Sequence, residues 1–198
     1  MFRNLLTVVF IFAACSQANA NEEELQAKIK QLEDRVARLE KALGPSLKQL
    51  RVAGFQEQAR ERMRKDLEVY SQDELNEIEQ LYQVANQKWR SEEGKDSLKK
   101  LIDKYDKANR TGGALLYLGQ MSAGDEQIDY LTKAIEKFSD CCYGDGVRVG
   151  AYARFVLAQR YRDDAQNDKA DKLIAEVKRD YADAIDHRGE PLLASISD

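Results

Sequence analysis

The chain has 198 residues, 43% of them hydrophobic and 33% charged, with two prolines and Lys+Arg 31 against Asp+Glu 35 for a formal charge of −4. That apolar content is too high for a disordered chain, and the length suits one compact core, or a small domain carrying an extended arm. The acidic balance argues against a nucleic-acid binder, which needs a concentrated basic face, and a single histidine, His187, excludes a His-rich metal site, so neither metal nor cofactor is expected.

The first twenty residues place Arg3 before the apolar run Leu5 to Ala14 and end on Ala18-Asn19-Ala20. Ten apolar residues rise only ~15 Å as a helix, about half a bilayer core, so the layout is that of an export signal over 1–20 rather than a membrane span. Cleavage between Ala20 and Asn21 would leave a soluble periplasmic protein of a bacterium. As an alternative, Phe12-Ala13-Ala14-Cys15 resembles a lipobox with Phe12 off pattern; Cys15 would then be lipidated and Ser16 would direct the protein to the outer membrane.

From Asn21 onward the large apolar residues are Leu25, Ile29, Leu32, Val36, Leu39 and Leu43, at spacings of 4, 3, 4, 3 and 4. This seven-residue period predicts a coiled coil over 21–44, with Ile29, Val36 and Leu43 at one core position and Leu25, Leu32 and Leu39 at the other. Lys28 with Glu33, and Arg35 with Glu40, have the five-residue offset that pairs opposite charges between parallel neighbours. Branched residues facing leucines favour two strands, whereas Arg35-Val36-Ala37-Arg38-Leu39-Glu40 resembles a short trimerisation motif. The expected partner is a second copy of the chain in a parallel trimer, with a dimer as the alternative. Gly44-Pro45 is expected to end the helix.

A linking amphipathic helix is expected over 45–70, starting at Ser46, with Val52, Phe55, Ala59, Met63, Leu67 and Tyr70 on one face. Its Lys48, Arg51, Arg60, Arg62, Arg64 and Lys65 against Glu57, Glu61, Asp66 and Glu68 read as a solvated face crossed by ion pairs, with a glycan or membrane tether as the alternative. Ser71-Gln72-Asp73-Glu74 is a capping box that opens a new helix. Leu75, Ile78, Leu81, Tyr82, Ala85 and Trp89 follow, and Ser91-Glu92-Glu93-Gly94 breaks the pattern before Leu98, Leu101, Ile102 and Tyr105. Tyr105, Phe138 and Tyr181 each close a helix at intervals of 33 and 43 residues, the range of stacked helical hairpins. First helices lie between them at Ala114–Gly119 and Gly150–Ala158.

Leu157, Ala158, Tyr161, Ala170, Ile174 and Val177 match the packing positions of tetratricopeptide repeats in order, so residues 154–182 resemble that family, with Ala182 replacing the usual proline. The resemblance covers roughly half the chain and implies packing rather than chemistry. The expected fold is all-α: a coiled-coil helix followed by stacked antiparallel helix pairs, a degenerate tetratricopeptide-like solenoid over 71–190 with a tail at 191–198. In layout the chain resembles the periplasmic coordinator family of the Tol-Pal system. By the resemblance to tetratricopeptide repeats, Leu116, Gln120, Tyr152, Phe155, Gln159 and Arg162 would face a partner groove, with interhelical core as the alternative for Tyr152 and Phe155.

The loop Asp140-Cys141-Cys142-Tyr143-Gly144-Asp145-Gly146 reads as a joint between stacked helices, as does Thr111-Gly112-Gly113. Adjacent Cys141 and Cys142 could form a strained, readily reduced disulfide, although no Cys-x-x-Cys supports a redox pair. Asp140 and Asp145 lack calcium-loop spacing. His187 reads as a surface or packing residue. The sequence therefore points to a non-enzymatic envelope scaffold that self-associates through its coil and holds an envelope protein on its helical pairs. A thiol-redox accessory protein and a basic-helix tether are the alternatives.

Overall fold

The computed structural model describes the backbone of residues 2–195 and the side chains of 25–194. The protein is 78% helical, with seven α-helices and no strand among the described residues, which makes it all-α. It divides into two units, Met1–Leu47 and Lys48–Asp198. The first is formed by part of α1, Phe2–Arg64. The signal-peptide and lipidation candidates Cys15, Ala20 and Asn21 lie outside the described side chains.

The expected stop at Gly44-Pro45 does not occur, since Pro45 lies inside α1 and Ser46 starts no new helix. An interior proline removes the amide that would bond the carbonyl four residues earlier. Here that carbonyl belongs to Lys41, and both residues are exposed, so solvent can satisfy it.

In the second unit the last turns of α1 bury Phe55 and Ala59 and half-bury Val52 and Met63, as their spacing predicts. Leu67 departs from that face: it lies in the 3₁₀ turn Lys65–Glu68 and is exposed. Six helices follow: α2 Gln72–Gln87, α3 Glu92–Lys104, α4 Asn109–Met121, α5 Gly124–Lys137, α6 Val149–Asp163 and α7 Asn167–Asp180. The helices pack chiefly as α2 with α3, α4 with α5 and α6 with α7; α3 meets α4, α5 meets α6, and α4 also reaches α2 and α6.

Local chemistry sets these boundaries. Ser71 caps α2 by accepting from Glu74 N, while the Glu74 carboxylate accepts from Ser71 N at 2.8 Å. Ser91 caps α3 by accepting from Gly94 N at 3.0 Å. Tyr105, Phe138 and Tyr181 occupy the C-cap positions of α3, α5 and α7, each donating its amide to the carbonyl four residues back. Thr111-Gly112-Gly113 is not a joint but the first part of α4. A Cβ at Gly112 would come within 2.6 Å of the Cys141 Cβ, so glycine is what allows this close approach.

Helix α4 is the centre of the core. From Thr111 to Leu116, and again at Leu118 and Gly119, its side chains are buried, against Ile78, Tyr82, Leu98, Leu101 and Leu131 among others. Covered on most sides, it leaves Arg110, Tyr117, Gln120 and Met121 partly exposed, the pattern of a largely interior helix.

The two segments after Phe138 and Tyr181 share one conformation at an offset of 43 residues. In the first, Cys141 N donates to Phe138 O, Tyr143 N to Val147 O, Gly146 N to Tyr143 O and Val149 N to Cys141 O. In the second, the same bonds join Ala184 to Tyr181, Asp186 to Glu190, Gly189 to Asp186 and Leu192 to Ala184. Isolated bridges Cys142–Arg148 and Ile185–Pro191 complete the two small hairpins. Gly146 and Gly189 take the corresponding turn position with φ of +96° and +74°, where an L side chain is strained.

Candidate functional site

In the first unit, Leu25, Ile29, Leu32, Val36, Leu39 and Leu43 are all between 47% and 59% exposed. Leu47, four residues after Leu43, is exposed as well. A helix carrying this many solvated leucines at heptad spacing loses apolar stabilisation that a second helix could supply, at roughly 25 cal/mol per Å² covered. Arg38 Nε folds back onto the Asp34 carbonyl at 3.2 Å.

The second unit presents an open cleft of about 310 Å³ lined by Asn86, Trp89, Tyr117, Gln120 and His187. Trp89 follows the end of α2 and is 42% exposed. Its ring meets Tyr117 of α4 edge-on at 5.1 Å, and Tyr117 stacks on the buried Tyr82 at 5.4 Å. The row continues through Tyr143, 5.8 Å from Tyr117, to His187 and Tyr152, which lie 5.1 Å apart. Aromatic rings from α2, α4, α6 and both hairpins thus share one face.

His187 is held in place by the first hairpin: its Nδ1 lies 2.7 Å from Asp145 Oδ2, and its ring meets Tyr143 edge-on at 4.9 Å. Burial alone would raise the Asp145 carboxyl, but hydrogen bonds from His187 and Val147 N bring it below its ordinary value. Sequence reasoning missed Asn86, Trp89 and Tyr117 as cleft residues and gave His187 no role there. The 43-residue offset, which pairs Phe138 with Tyr181, Asp140 with Asp183 and Gly146 with Gly189, marks the two hairpins but not Asn86, Trp89 or Tyr117.

The expected groove residues do not form one surface. Gln120 lines the cleft, Tyr152 is half-buried in the aromatic row, and Gln159 and Arg162 are exposed, with Arg162 3.8 Å from Asp171. Leu116 and Phe155 are corrected from groove to core, at 0% and 8% exposure. Leu116 sits on the covered side of α4, while Phe155 packs with Ala151, Val177, Ala184 and Leu192.

Cys141 and Cys142 are both unbridged and buried. Burial pushes the Cys141 thiol up to about 12, despite the nearby Arg62, and raises Cys142 in the same way. Thiols held protonated are poor nucleophiles, so this arrangement does not favour thiol exchange. What surrounds them is a structural junction. Arg62 at the end of α1 donates to Asp66 at 3.0 Å, Asp140 at 2.8 Å, the Lys107 carbonyl at 3.4 Å and Cys141 Sγ at 3.4 Å. Buried Asn109 donates its amide N to Asp66 and pairs its side chain with both backbone groups of Cys142.

The basic residues of 45–70 are largely engaged within the chain. Lys48 pairs with Glu190, Arg60 and Arg64 with Glu57, and Arg62 with Asp66 and Asp140. Among the described residues there is no cluster of His, Cys, Asp or Glu suited to a metal ion, and no helix long and apolar enough to cross a membrane. Comparison with family models, curated proteins and solved structures finds no match for this chain.

Proposed function

We propose that the protein is a non-enzymatic scaffold of the bacterial cell envelope that self-associates through residues 21–44 and binds an envelope protein through its helical pairs, read as a degenerate tetratricopeptide-like stack. The observation that carries this reading is the half-exposed heptad stripe from Leu25 to Leu43. Its narrowness suits a helical seam, and the Lys28/Glu33 and Arg35/Glu40 offsets suit a parallel copy of the same chain. Joining several helical-pair units in one assembly raises avidity for a repeated partner without any new contact. The exported form is taken as soluble and periplasmic after cleavage at Ala20, with lipidation at Cys15 as the alternative. The Arg162 and Gln159 end of α6 supplies exposed polar groups for the partner.

The test is the mass of the purified chain in solution. Light scattering is expected to give three chains per particle, or two, and Val36→Asp is expected to give one. Val36 is 52% exposed in the single chain, so a carboxylate there leaves the helix undisturbed but is excluded from a dry seam. An unchanged mass in the variant, or a single-chain mass in the parent, rejects the seam. For the helical pairs, crosslinking from Gln159 in intact cells is expected to capture one envelope protein, and capture that persists in Arg162→Glu rejects this face.

A further inference from the structure

The cleft between the end of α2, α4 and the second hairpin has the composition of a sugar site. Its walls are the rings of Trp89 and Tyr117 and the polar groups of Asn86, Gln120 and His187. At about 310 Å³ it falls at the lower end of small-ligand sites, which begin near ~300 Å³. Trp89 offers an exposed ring that is fixed from behind: Tyr117 braces it edge-on, and Tyr82 in the core braces Tyr117. Arg90, the next residue, adopts φ +62° in the left-handed region that non-glycine residues rarely enter, and its guanidinium lies over the Trp89 ring at 5.8 Å from the centroid.

The polar groups are distinct from those that would bind an anion or a cation. Asn86 and Gln120 bring amides, each with one acceptor and two donor hydrogens. His187 has Nδ1 committed to Asp145, which leaves Nε2 as its second ring nitrogen for a ligand. Gln120 Nε2 is shielded from solvent and has no hydrogen-bond partner. An unmade bond of this kind costs about 1–3 kcal/mol. Rigid aromatic faces beside amide and imidazole donors and acceptors complement a ring that is apolar on its C–H face and lined with hydroxyls at its edge.

We propose that this cleft binds an uncharged pyranose of a glycan, with one sugar face against Trp89 and its hydroxyls on Asn86, Gln120 and His187. The inference does not depend on the coil, since each of these residues belongs to the second unit. It also differs in ligand from the protein partner proposed for the Gln159 and Arg162 end of α6.

Trp89 is the single tryptophan of the chain, so its fluorescence reports this cleft alone. Titration of the full-length protein with cellotetraose and with triacetylchitotriose is expected to shift the emission saturably for at least one of them. Gln120→Ala and Asn86→Ala should each weaken that binding about fivefold, the worth of one hydrogen bond, with unchanged thermal midpoints. Octaproline serves as the peptide probe. Saturable emission change with octaproline and neither sugar would reassign the cleft to a peptide. No change with either sugar up to its solubility limit, or a response that both variants retain in full, overturns the proposal. Loss of self-association with sugar binding intact would reject the coil and leave this site standing.

Discussion

The two units of this protein handle apolar surface in opposite ways. In the first, six heptad residues of α1 stand about half in water, while in the second, α4 hides Leu115, Leu116 and Leu118 almost completely. The first therefore leaves its apolar stripe in water in the single chain, whereas the second carries its own core. A single chain can combine the two because α1 supplies an amphipathic stripe where nothing covers it and a packed face at Phe55 and Ala59.

Substitutions that respect or cross this division test it. The largest effect is expected from Leu116→Ala: removing a fully buried side chain from α4 should cost about 3–4 kcal/mol in urea unfolding, independently of protein concentration. A loss below ~1 kcal/mol would return Leu116 to the surface. Next is Gly146→Ala, expected at about 2–3 kcal/mol, because the new Cβ would lie 2.6 Å from the Phe55 Cβ at a φ of +96°. Gly144→Ala, in the same hairpin with open space around it, is the matched control and should be close to silent.

A smaller effect concerns acid. Asp145 is held below its ordinary pKa, so the stability it contributes is complete above the ordinary carboxylate range and is lost as pH falls through the lowered value. Asp145→Asn should remove that acid limb from a plot of thermal midpoint against pH and leave the coil-dependent mass unchanged. A parallel shift at every pH would mean that the carboxylate charge is immaterial. The smallest expected change is a gain. Ala165, with φ +57° after α6, stands where glycine is favoured, and Ala165→Gly should stabilise the second unit by about 0.5 kcal/mol.

Much of the helical plan was legible from residues alone. Ser71 with Glu74 and Ser91 before Gly94 mark starts through the amides they cap, and the aromatics at 105, 138 and 181 mark ends. Pro45 misled because its local cost is real but is met by solvent on an exposed helix. Leu116 and Phe155, placed in a groove by resemblance, misled for a different reason: α4 has little outer face, and the Phe155 side of α6 is covered by Val177, Ala184 and Leu192. The cleft was hidden because its walls lie far apart in sequence, Asn86 and His187 being a hundred residues distant and joined only by packing of the pairs.

The repeated hairpin has a further consequence for how α1 and the pairs are matched in length. Gly146 abuts Phe55, while Gly189 abuts Val52 and Lys48 on the preceding turns of the same helix. That step along α1, three to seven residues, amounts to ~5–10 Å, similar to the ~8–10 Å between neighbouring helices. The last turns of α1 thus carry two marks, Phe55 for the hairpin after α5 and Val52 with Lys48 for the hairpin after α7.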